Sequence, residues 1–300
     1  MSTTILRQLN LRRRLWQNTP WFVDKVRVGD GMDQDCLDIA KLEWLSQELA
    51  DRYQGASPFP HIYIDEFLDK PLYDALQAEF PGPDARVWYR FQSAAENQKL
   101  QSNDFYGIPR NLRTLITELN GPAFVKFLER MTGIQGLVPD PHLYGGGLHQ
   151  TLPGGHLGVH VDYNYHVDWR LDRRLNVILY FNEDWNDEWG GHLELWDRDV
   201  KNCVQKIAPV ANRLAIFNTD EFSWHGHPDP LSCPAGRTRK SIALYYYSNG
   251  RPEAERADSH NTVFKQRPGE KYKMTAADLV RGLTPPLVKD FAKRVLKRGE

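Results

Sequence analysis

The sequence predicts a mainly β protein with α additions, whose centre is an antiparallel barrel or sandwich. Between about residues 143 and 250, short apolar segments alternate with Gly, Pro, Asn and Asp, and no helical pattern separates them. The flanking stretches instead repeat apolar residues at spacings of three and four. About six short strands in succession favour an antiparallel arrangement, because parallel strands need long crossover connections.

The N-terminal part of the chain is predicted to be mostly helical. In order, its elements are a helix over about 39–53, a break at 55–60, a strand at His61–Asp65, a helix from Pro71 to Pro81 and a helix from Pro122 to Gly133. Pro suits the first turn of a helix and Gly suits the position after its last turn. Residues 84–108 are polar and aromatic without a clear period, so we expect a flexible segment lying over a site.

The strands of the barrel follow in a compact series. They are predicted at Leu157–Asp162, preceded by a glycine turn at Gly154–Gly155, and at Leu175–Asn182, His192–Trp196, Cys203–Ile207, Arg213–Asn218 and Lys240–Ser248. Two helices near residues 275–282 and 285–298 are predicted to end the chain.

Composition narrows the class of protein. The chain has 300 residues and a net charge of −1, so nothing indicates a nucleic-acid partner. No apolar run approaches the roughly 20 residues of a membrane span, and Arg12–Arg14 is not followed by the apolar stretch of a secretory signal. Three widely spaced cysteines are an odd number and form no disulfide framework. We therefore expect reduced thiols and a cytoplasmic protein.

A set of possible metal ligands is the most specific feature of the chain. His160 and Asp162 are two residues apart on an alternating strand, so they share one face. His225, on a later strand, would complete a set of two imidazoles and one carboxylate, which is typical of non-heme Fe(II) sites with open positions. Arg239 follows 14 residues later and is suited to pair with a carboxylate ligand.

Other histidines compete for the same role. The sequence also contains His166 with Asp168, His227 with Asp229, and His192 with Glu194. The second of these pairs encloses Pro228, which cannot donate to a central ladder and indicates a turn. The first pair adjoins a charged loop and the third lies on a different strand, so the motif alone does not choose among them.

The ordered pattern from about residue 150 to residue 247 resembles the prolyl-4-hydroxylase-like Fe(II)/2-oxoglutarate-dependent dioxygenases. Five blocks carry the resemblance: Gly154–Asp162, Leu175–Asn182 with Trp185, Gly190–Leu195, Ile207–Phe217 and Arg239–Tyr246. Counted from Arg213, the distal histidine of the family falls on His225 and not on His227. Residues 1–140 carry much less of the pattern.

The resemblance implies a fold and a set of roles. It implies a double-stranded β-helix (jelly-roll or cupin-like) core flanked by N- and C-terminal helices. His160, Asp162 and His225 would hold Fe(II), and 2-oxoglutarate would chelate the metal. Its far carboxylate would pair with Arg239 and accept hydrogen bonds from the hydroxyl groups of Tyr180 and Ser241. Gln150 stands where many relatives have a tyrosine ten residues before the first ligand, so its amide is a further candidate contact.

The implied reaction is hydroxylation of an unactivated C–H bond, with O2 as oxidant, 2-oxoglutarate converted to succinate and CO2, and ascorbate a candidate reductant. Related halogenases replace the carboxylate ligand by a small residue, so the intact Asp162 favours hydroxylation. Desaturation, epoxidation and ring closure stay open. The substrate could be a small molecule, an amino acid or a peptidyl residue, and the oligomeric state has no signature in the sequence.

Two other hypotheses about the function stay open. The same barrel could hold zinc in a cupin-like isomerase or hydrolase, or it could bind a ligand and keep the three residues as a relic. In the leading interpretation, residues 1–300 form a single catalytic domain. It consists of a mostly helical part at 1–140, a β-barrel core at 141–250 and a helical extension at 251–300.

Overall fold

A computed structural model describes residues 26–28 and 32–270 of the chain, with side chains from residue 35 onward. The expected helices near 275–282 and 285–298, and the run Arg12–Arg14, lie outside the described residues and stay predictions. No helix in the described ranges is long and apolar enough to cross a membrane.

Within the described residues, five α-helices lie N-terminal to strand β7 (Gly147–Val161). They are α1 Ile39–Glu48, α2 Ala50–Gln54, α3 Lys70–Glu79, α4 Arg110–Leu119 and α5 Pro122–Thr132. The Asp38 side chain accepts a hydrogen bond from the backbone N–H of Lys41 and so caps α1. Gly133 ends α5 in the left-handed region, with φ of 77°. The helices expected around Pro71 and Pro122 are confirmed, and α4 is an addition to the prediction.

Fifteen β-strands are present in the described ranges. They are β1 Val26–Val28, β2 Met32–Gln34, β3 His61–Ile64, β4 Tyr89–Phe91, β5 Glu96–Ser102, β6 Val138–Pro139, β7 Gly147–Val161, β8 Tyr165–His166, β9 Leu171–Tyr180, β10 Leu193–Trp196, β11 Cys203–Ile207, β12 Leu214–Asn218, β13 His225–His227, β14 Arg239–Ser248 and β15 Val263–Phe264. Short 3-10 helices lie at Asp187–Trp189 and Glu253–Glu255.

Thirteen of these strands form a nearly closed antiparallel barrel sheet. Its main path runs β11, β10, β13, β7, β14, β9, β12, β3, while β5 and β15 also pair with β7. The 15-residue strand β7 pairs with β14 through its first half and with β13 through its second. It therefore joins the two halves of the barrel and brings the residues near 150 and those near 160 to one cavity.

The helices cover the outer face of the sheet formed by β12, β9 and β14. Alternate residues of these strands belong to one apolar core with the helices, among them Leu175, Val177, Leu179, Leu214, Ile216, Ile242 and Leu244. The residues between them point into the barrel. This alternation places polar side chains of β9 and β14 inside the barrel while the outer face is sealed by aliphatic packing.

Two local expectations are wrong. Residues 84–108 contain the hairpin of β4 and β5, and β5 pairs with β7 over six residue positions, so this segment is part of the barrel wall. Gly154 and Gly155 lie within β7 and do not form a turn before it. Gly154 has φ of 76°, and the ladder between β7 and β5 is irregular there.

Candidate metal centre and its cavity

Strand register brings the three candidate ligands together. His225 of β13 lies directly opposite His160 of β7, and their ring centroids are 4.4 Å apart. Asp162 follows the end of β7, with its Oδ1 3.7 Å from His160 Nε2 and its Oδ2 3.4 Å from His225 Nε2. One ligand atom from each of the three residues lies within 4.8 Å of the other two. One ion of ordinary ligand distance fits between them.

The two histidines are held in the tautomer that a metal requires. His160 Nδ1 is 2.9 Å from the Gly158 carbonyl oxygen, and His225 Nδ1 is 2.8 Å from the Ser223 carbonyl oxygen. A carbonyl oxygen only accepts, so each Nδ1 donates its proton to it and each Nε2 presents a lone pair. Both lone pairs lie on the side of Asp162.

Burial and neighbouring charges set the ionisation of the ligands. Burial, followed by the proximity of His225, lowers the pKa of His160 to about 4, so this imidazole is neutral near pH 7. Burial opposes ionisation of Asp162, but Arg173 and the two histidines outweigh it and hold the pKa of this carboxyl well below its usual range. A neutral imidazole beside a carboxylate is the protonation state that divalent metals bind.

Arg173 and Asn176 of β9 fix the orientation of Asp162. Arg173 Nη2 donates to Asp162 Oδ2 over 2.9 Å, and Asn176 Nδ2 donates to the same oxygen over 2.7 Å. The guanidinium of Arg173 lies between the rings of Tyr163 and Tyr245, at 4.5 and 3.5 Å from their centroids. With Oδ2 held by two donors, Oδ1 is the oxygen left open toward a metal.

A close backbone approach brings β13 against β7 at the ligands. Gly226 lies between His225 and His227, and a Cβ at this position would be 2.7 Å from the Gly158 carbonyl oxygen and 2.8 Å from that of Leu157. Any side chain would therefore separate the strands. Glycine at position 226 is what allows the two histidine ligands to face each other.

The expected cosubstrate residues lie across the cavity from the metal ligands. Arg239 is buried, its Nε donates to the Gly191 carbonyl oxygen over 2.6 Å, and its Nη2 is 3.2 Å from the Tyr180 hydroxyl. Within the described residues Arg239 has no carboxylate partner. Burial lowers the pKa of its guanidinium. Ser241 is directly opposite Tyr180 in the ladder and lines the cavity. A buried cation of this kind requires an anion.

The structure does not bring Gln150 to the cavity. Its Nε2 donates to the Pro81 carbonyl oxygen and its Oε1 accepts from the Thr238 hydroxyl, on the outer side of β7. His149 and Thr151 line the cavity in its place. His149 Nε2 is buried and has no hydrogen-bond partner within the described residues. Burial, together with the charge of Lys99, lowers the pKa of His149 to about 3.

The competing histidines lie elsewhere or stand apart from the metal ligands. His166 stacks on Trp169 with ring centroids 4.5 Å apart, and His192 pairs with Asp187 over 2.7 Å. His227 lines the same cavity as His225, but it is not part of the cluster of ligand atoms. Geometry therefore favours the set of His160, Asp162 and His225 among the described residues.

The sequence analysis missed two cavity residues, Lys99 and His149, and the counterion Arg173 of Asp162. Arg173 lies two residues before the predicted strand Leu175–Asn182, although it belongs to β9 in the structure. Lys99 was missed because β5 was not predicted. The cavity that Lys99 and His149 line has a volume of about 90 Å³ and also includes Leu157, Ile178 and Ala243.

Comparison with known proteins agrees with this geometry. Residues 146–247 match the 2OG-Fe(II) oxygenase superfamily. Prolyl 3-hydroxylase OGFOD1 of Mus musculus is 33% identical over 86 residues, which is 27% of this chain and 15% of that protein. The similarity thus spans a small part of that relative's length.

Two solved structures are similar to this chain. A prolyl hydroxylase from Trichoplax adhaerens, solved with a hypoxia inducible factor peptide, has a TM-score of 0.51 and 20% identity, covering 69% of this chain and 91% of that chain. A Pseudomonas putida prolyl-4-hydroxylase has a TM-score of 0.46 and 20% identity, covering 70% of this chain and 100% of that chain. The first of these likenesses confirms the double-stranded β-helix fold.

The fold, the ligand cluster and the family match agree with one another. Residues 146–247 match the 2OG-Fe(II) oxygenase superfamily, and the resemblance to its prolyl-4-hydroxylase-like members is confirmed.

Proposed function

We propose that this protein is an Fe(II)- and 2-oxoglutarate-dependent oxygenase that hydroxylates an unactivated C–H bond and converts 2-oxoglutarate to succinate and CO2. One observation supports it above the others. Three metal-type ligands converge within 4.8 Å on one side of a cavity, and the buried Arg239, without a carboxylate partner in the described chain, faces the same cavity. Bound iron would supply the activation of O2.

The protein's own residues have separate tasks in this proposal. His160, Asp162 and His225 would hold the metal on one face and leave its other positions open. Arg239, with the hydroxyls of Tyr180 and Ser241, would bind the far carboxylate of 2-oxoglutarate. The apolar wall of Leu157, Ile178, Leu193 and Ala243 would exclude water between the two ends. Ascorbate is a candidate reductant for maintaining Fe(II).

The donor set is compatible with iron and also with zinc, so Arg239 is what separates the alternatives. A zinc isomerase or hydrolase on this barrel gives a buried guanidinium no task. Asp162 occupies the carboxylate position, and Arg173 and Asn176 hold it there, which supports hydroxylation over halogenation. Desaturation, epoxidation or cyclisation would use the same groups and differ in the product.

The substrate class is proposed from the relatives. The mouse relative is named a prolyl 3-hydroxylase, and we propose a prolyl residue in a peptide as the first substrate to test. A free amino acid or a small molecule is the alternative. We also propose a single catalytic domain that acts in the cytoplasm without nucleic-acid or membrane partners, in accord with three free cysteines and a net charge of −1.

The test combines product detection with a variant series. Purified protein is incubated with Fe(II), 2-oxoglutarate, O2 and a library of proline-containing peptides. Succinate and a product heavier by one oxygen are then measured by mass spectrometry. We expect His160→Ala, Asp162→Ala and His225→Ala each to abolish succinate formation, because each removes a ligand. Asp168→Ala, outside the cavity, should retain activity.

Three outcomes would contradict the proposal or its ligand assignment. If the Arg239→Ala variant converts substrate as fast as the wild type at low 2-oxoglutarate, the zinc alternative gains and a cosubstrate role for the arginine is lost. If wild-type protein with Fe(II) produces no succinate above background, either with a substrate or by uncoupled turnover of 2-oxoglutarate alone, the barrel is a binding module. Loss of metal binding in His227→Ala with retention in His225→Ala would show that the distal ligand is misassigned.

A further inference from the structure

A second cation faces the cavity in register with Arg239. Arg239 of β14 is directly opposite Thr151 of β7, and Thr151 is directly opposite Lys99 of β5. Residues opposite each other in neighbouring strands point to the same face of the sheet. Lys99 and Arg239 therefore lie in one row, two interstrand spacings or roughly 10 Å apart at their Cα atoms. Both side chains line the cavity that holds the metal ligands.

An irregularity in β5 provides Lys99 with a counterion on the same face. Gln98 has φ of 52°, and the ladder with β7 shifts between Asn97 and Lys99. The shift turns Glu96 toward Lys99, and Lys99 Nζ lies 2.8 Å from Glu96 Oε1. The lysine side chain is only 14% exposed. Its stem and charge are thus held at the wall of the cavity and not in solvent.

The ammonium of Lys99 lies toward the metal side of the cavity. Its partner Glu96 is directly opposite Leu157 of β7, and Leu157 is in turn directly opposite His227, two residues from the ligand His225. Arg239 lies toward the other end, where it bonds to Gly191 and Tyr180. His149 Nε2 and His227 Nδ1, both buried and unpartnered within the described residues, line the same space. Such atoms indicate a cavity built for a polar ligand.

Charge balance leaves two cationic positions for a dicarboxylate. Asp162 is already paired with Arg173, and Glu96 occupies one of the three donors of the Lys99 ammonium. Arg239 has no carboxylate partner within the described chain. We propose, resting on the proposed function, that Lys99 binds the metal-proximal carboxylate of 2-oxoglutarate while Arg239 binds the distal one. Two cations on one row of the sheet would then bind the two ends of the cosubstrate.

The test measures binding, so it does not depend on turnover. Ni(II)-loaded protein is titrated calorimetrically with 2-oxoglutarate and with 2-oxopentanoate, which lacks the distal carboxylate. Lys99→Met should weaken both ligands by roughly tenfold to a hundredfold, the usual size of a lost charged hydrogen bond. Arg239→Met should weaken 2-oxoglutarate by a similar factor and leave 2-oxopentanoate nearly unchanged.

Matched variants exclude a merely structural effect. Lys99→Arg keeps the charge and should keep affinity within a few fold of the wild type. Glu96→Gln removes the counterion but not the ligand-binding cation, so 2-oxoglutarate should bind as tightly or more tightly. Ni(II) affinity and the thermal unfolding midpoint are measured for each variant, so a loss of metal or fold is recognised separately.

Undiminished binding of 2-oxoglutarate by Ni(II)-loaded Lys99→Met would overturn the inference. It would also be overturned if Lys99→Met weakened 2-oxoglutarate but not 2-oxopentanoate, since Lys99 would then bind the distal end. Failure of the wild-type Ni(II) protein to bind 2-oxoglutarate at all would instead refute the proposed function.

Discussion

Replacing Arg173 by methionine tests how Asp162 is held. Arg173 is buried and donates to Asp162 Oδ2 over 2.9 Å, while its guanidinium lies between the rings of Tyr163 and Tyr245. Methionine retains the apolar stem and removes the charge. The variant leaves Asn176 as the remaining donor to that oxygen. The carboxylate of Asp162 then lacks its counterion while staying largely buried.

The expected loss of stability is large in the metal-free protein. Removing one partner of a buried ion pair costs about 3–5 kcal/mol, because the other charge stays buried without compensation. At roughly 2 °C per kcal/mol for a chain of this size, the unfolding midpoint should fall by about 6–10 °C. A divalent metal supplies positive charge at the same carboxylate, so it should recover part of this loss. We expect the variant to bind metal about tenfold more tightly, or about 1.4 kcal/mol of additional stabilisation.

The assay is thermal unfolding with and without saturating Ni(II). Arg174→Met is the matched control, because Arg174 is also buried but bonds to Ser248 and Glu255, away from the metal ligands. Its stabilisation by Ni(II) should equal that of the wild type. If Ni(II) stabilises Arg173→Met no more than it stabilises the wild type, Arg173 is not the counterion of Asp162 in the metal-free state, and the electrostatic argument fails.

Three further predictions concern the cavity wall. The pKa of His149 is lowered to about 3 in the folded protein, mainly by burial, against an ordinary value of 6.5. The unfolded chain therefore takes up the extra proton, and stability present above pH 6.5 is lost as the pH falls toward 3. Between pH 6.5 and 5, the free energy of unfolding of the metal-free wild type, measured by denaturant titration, should fall by about 1.5 kcal/mol more than that of His149→Gln. An equal fall with pH in the two proteins would refute this. Gly226→Ala should weaken Ni(II) binding at least about tenfold, because the new Cβ would collide with the Gly158 carbonyl oxygen and force β13 away from β7; unchanged affinity would show that the strands move freely. Gly191→Ala should weaken 2-oxoglutarate binding with little effect on Ni(II) affinity, since its Cβ would lie 3.1 Å from Arg239 Cδ and its φ of 74° disfavours a side chain; a larger effect on the metal would contradict it.

Four barrel strands were predictable because each one alternates or is apolar on both faces. β11 was predicted residue for residue, and β10, β12 and β14 to within one residue at either end. Helix α4 was missed although its buried residues Leu112, Leu115, Ile116 and Leu119 follow helical spacing. The sequence of this segment therefore carries the helical signal. β5 differs, because most of its residues are polar and its partner β7 lies about fifty residues away.

The candidate metal ligands were predictable because two of them are local and the third follows a recognised strand order. The supporting charges were not. Strand register brings Arg173 to Asp162 and Lys99 to the cavity, and register depends on tertiary pairing that a single sequence does not display. Composition predicts that such charges exist but not that they meet. Their positions became definite only when β9 and β5 were placed beside β14 and β7.

His149, and not the predicted Gln150, faces the cavity for one physical reason. His160 pairs with His225 and Leu157 pairs with His227, so three steps along β7 match two steps along β13. β7 therefore carries one extra residue there, which is a β-bulge. An extra residue reverses which side chains face inward. Odd-numbered residues of β7 face the cavity before the bulge, and even-numbered ones face it afterwards. Counting ten residues back from His160 preserves parity and ignores this reversal, so it selects the outer face. The same bulge is opposite Gly226, where the backbones meet most closely. The feature that brings the histidine ligands face to face is therefore also the feature that moves the inward position from 150 to 149.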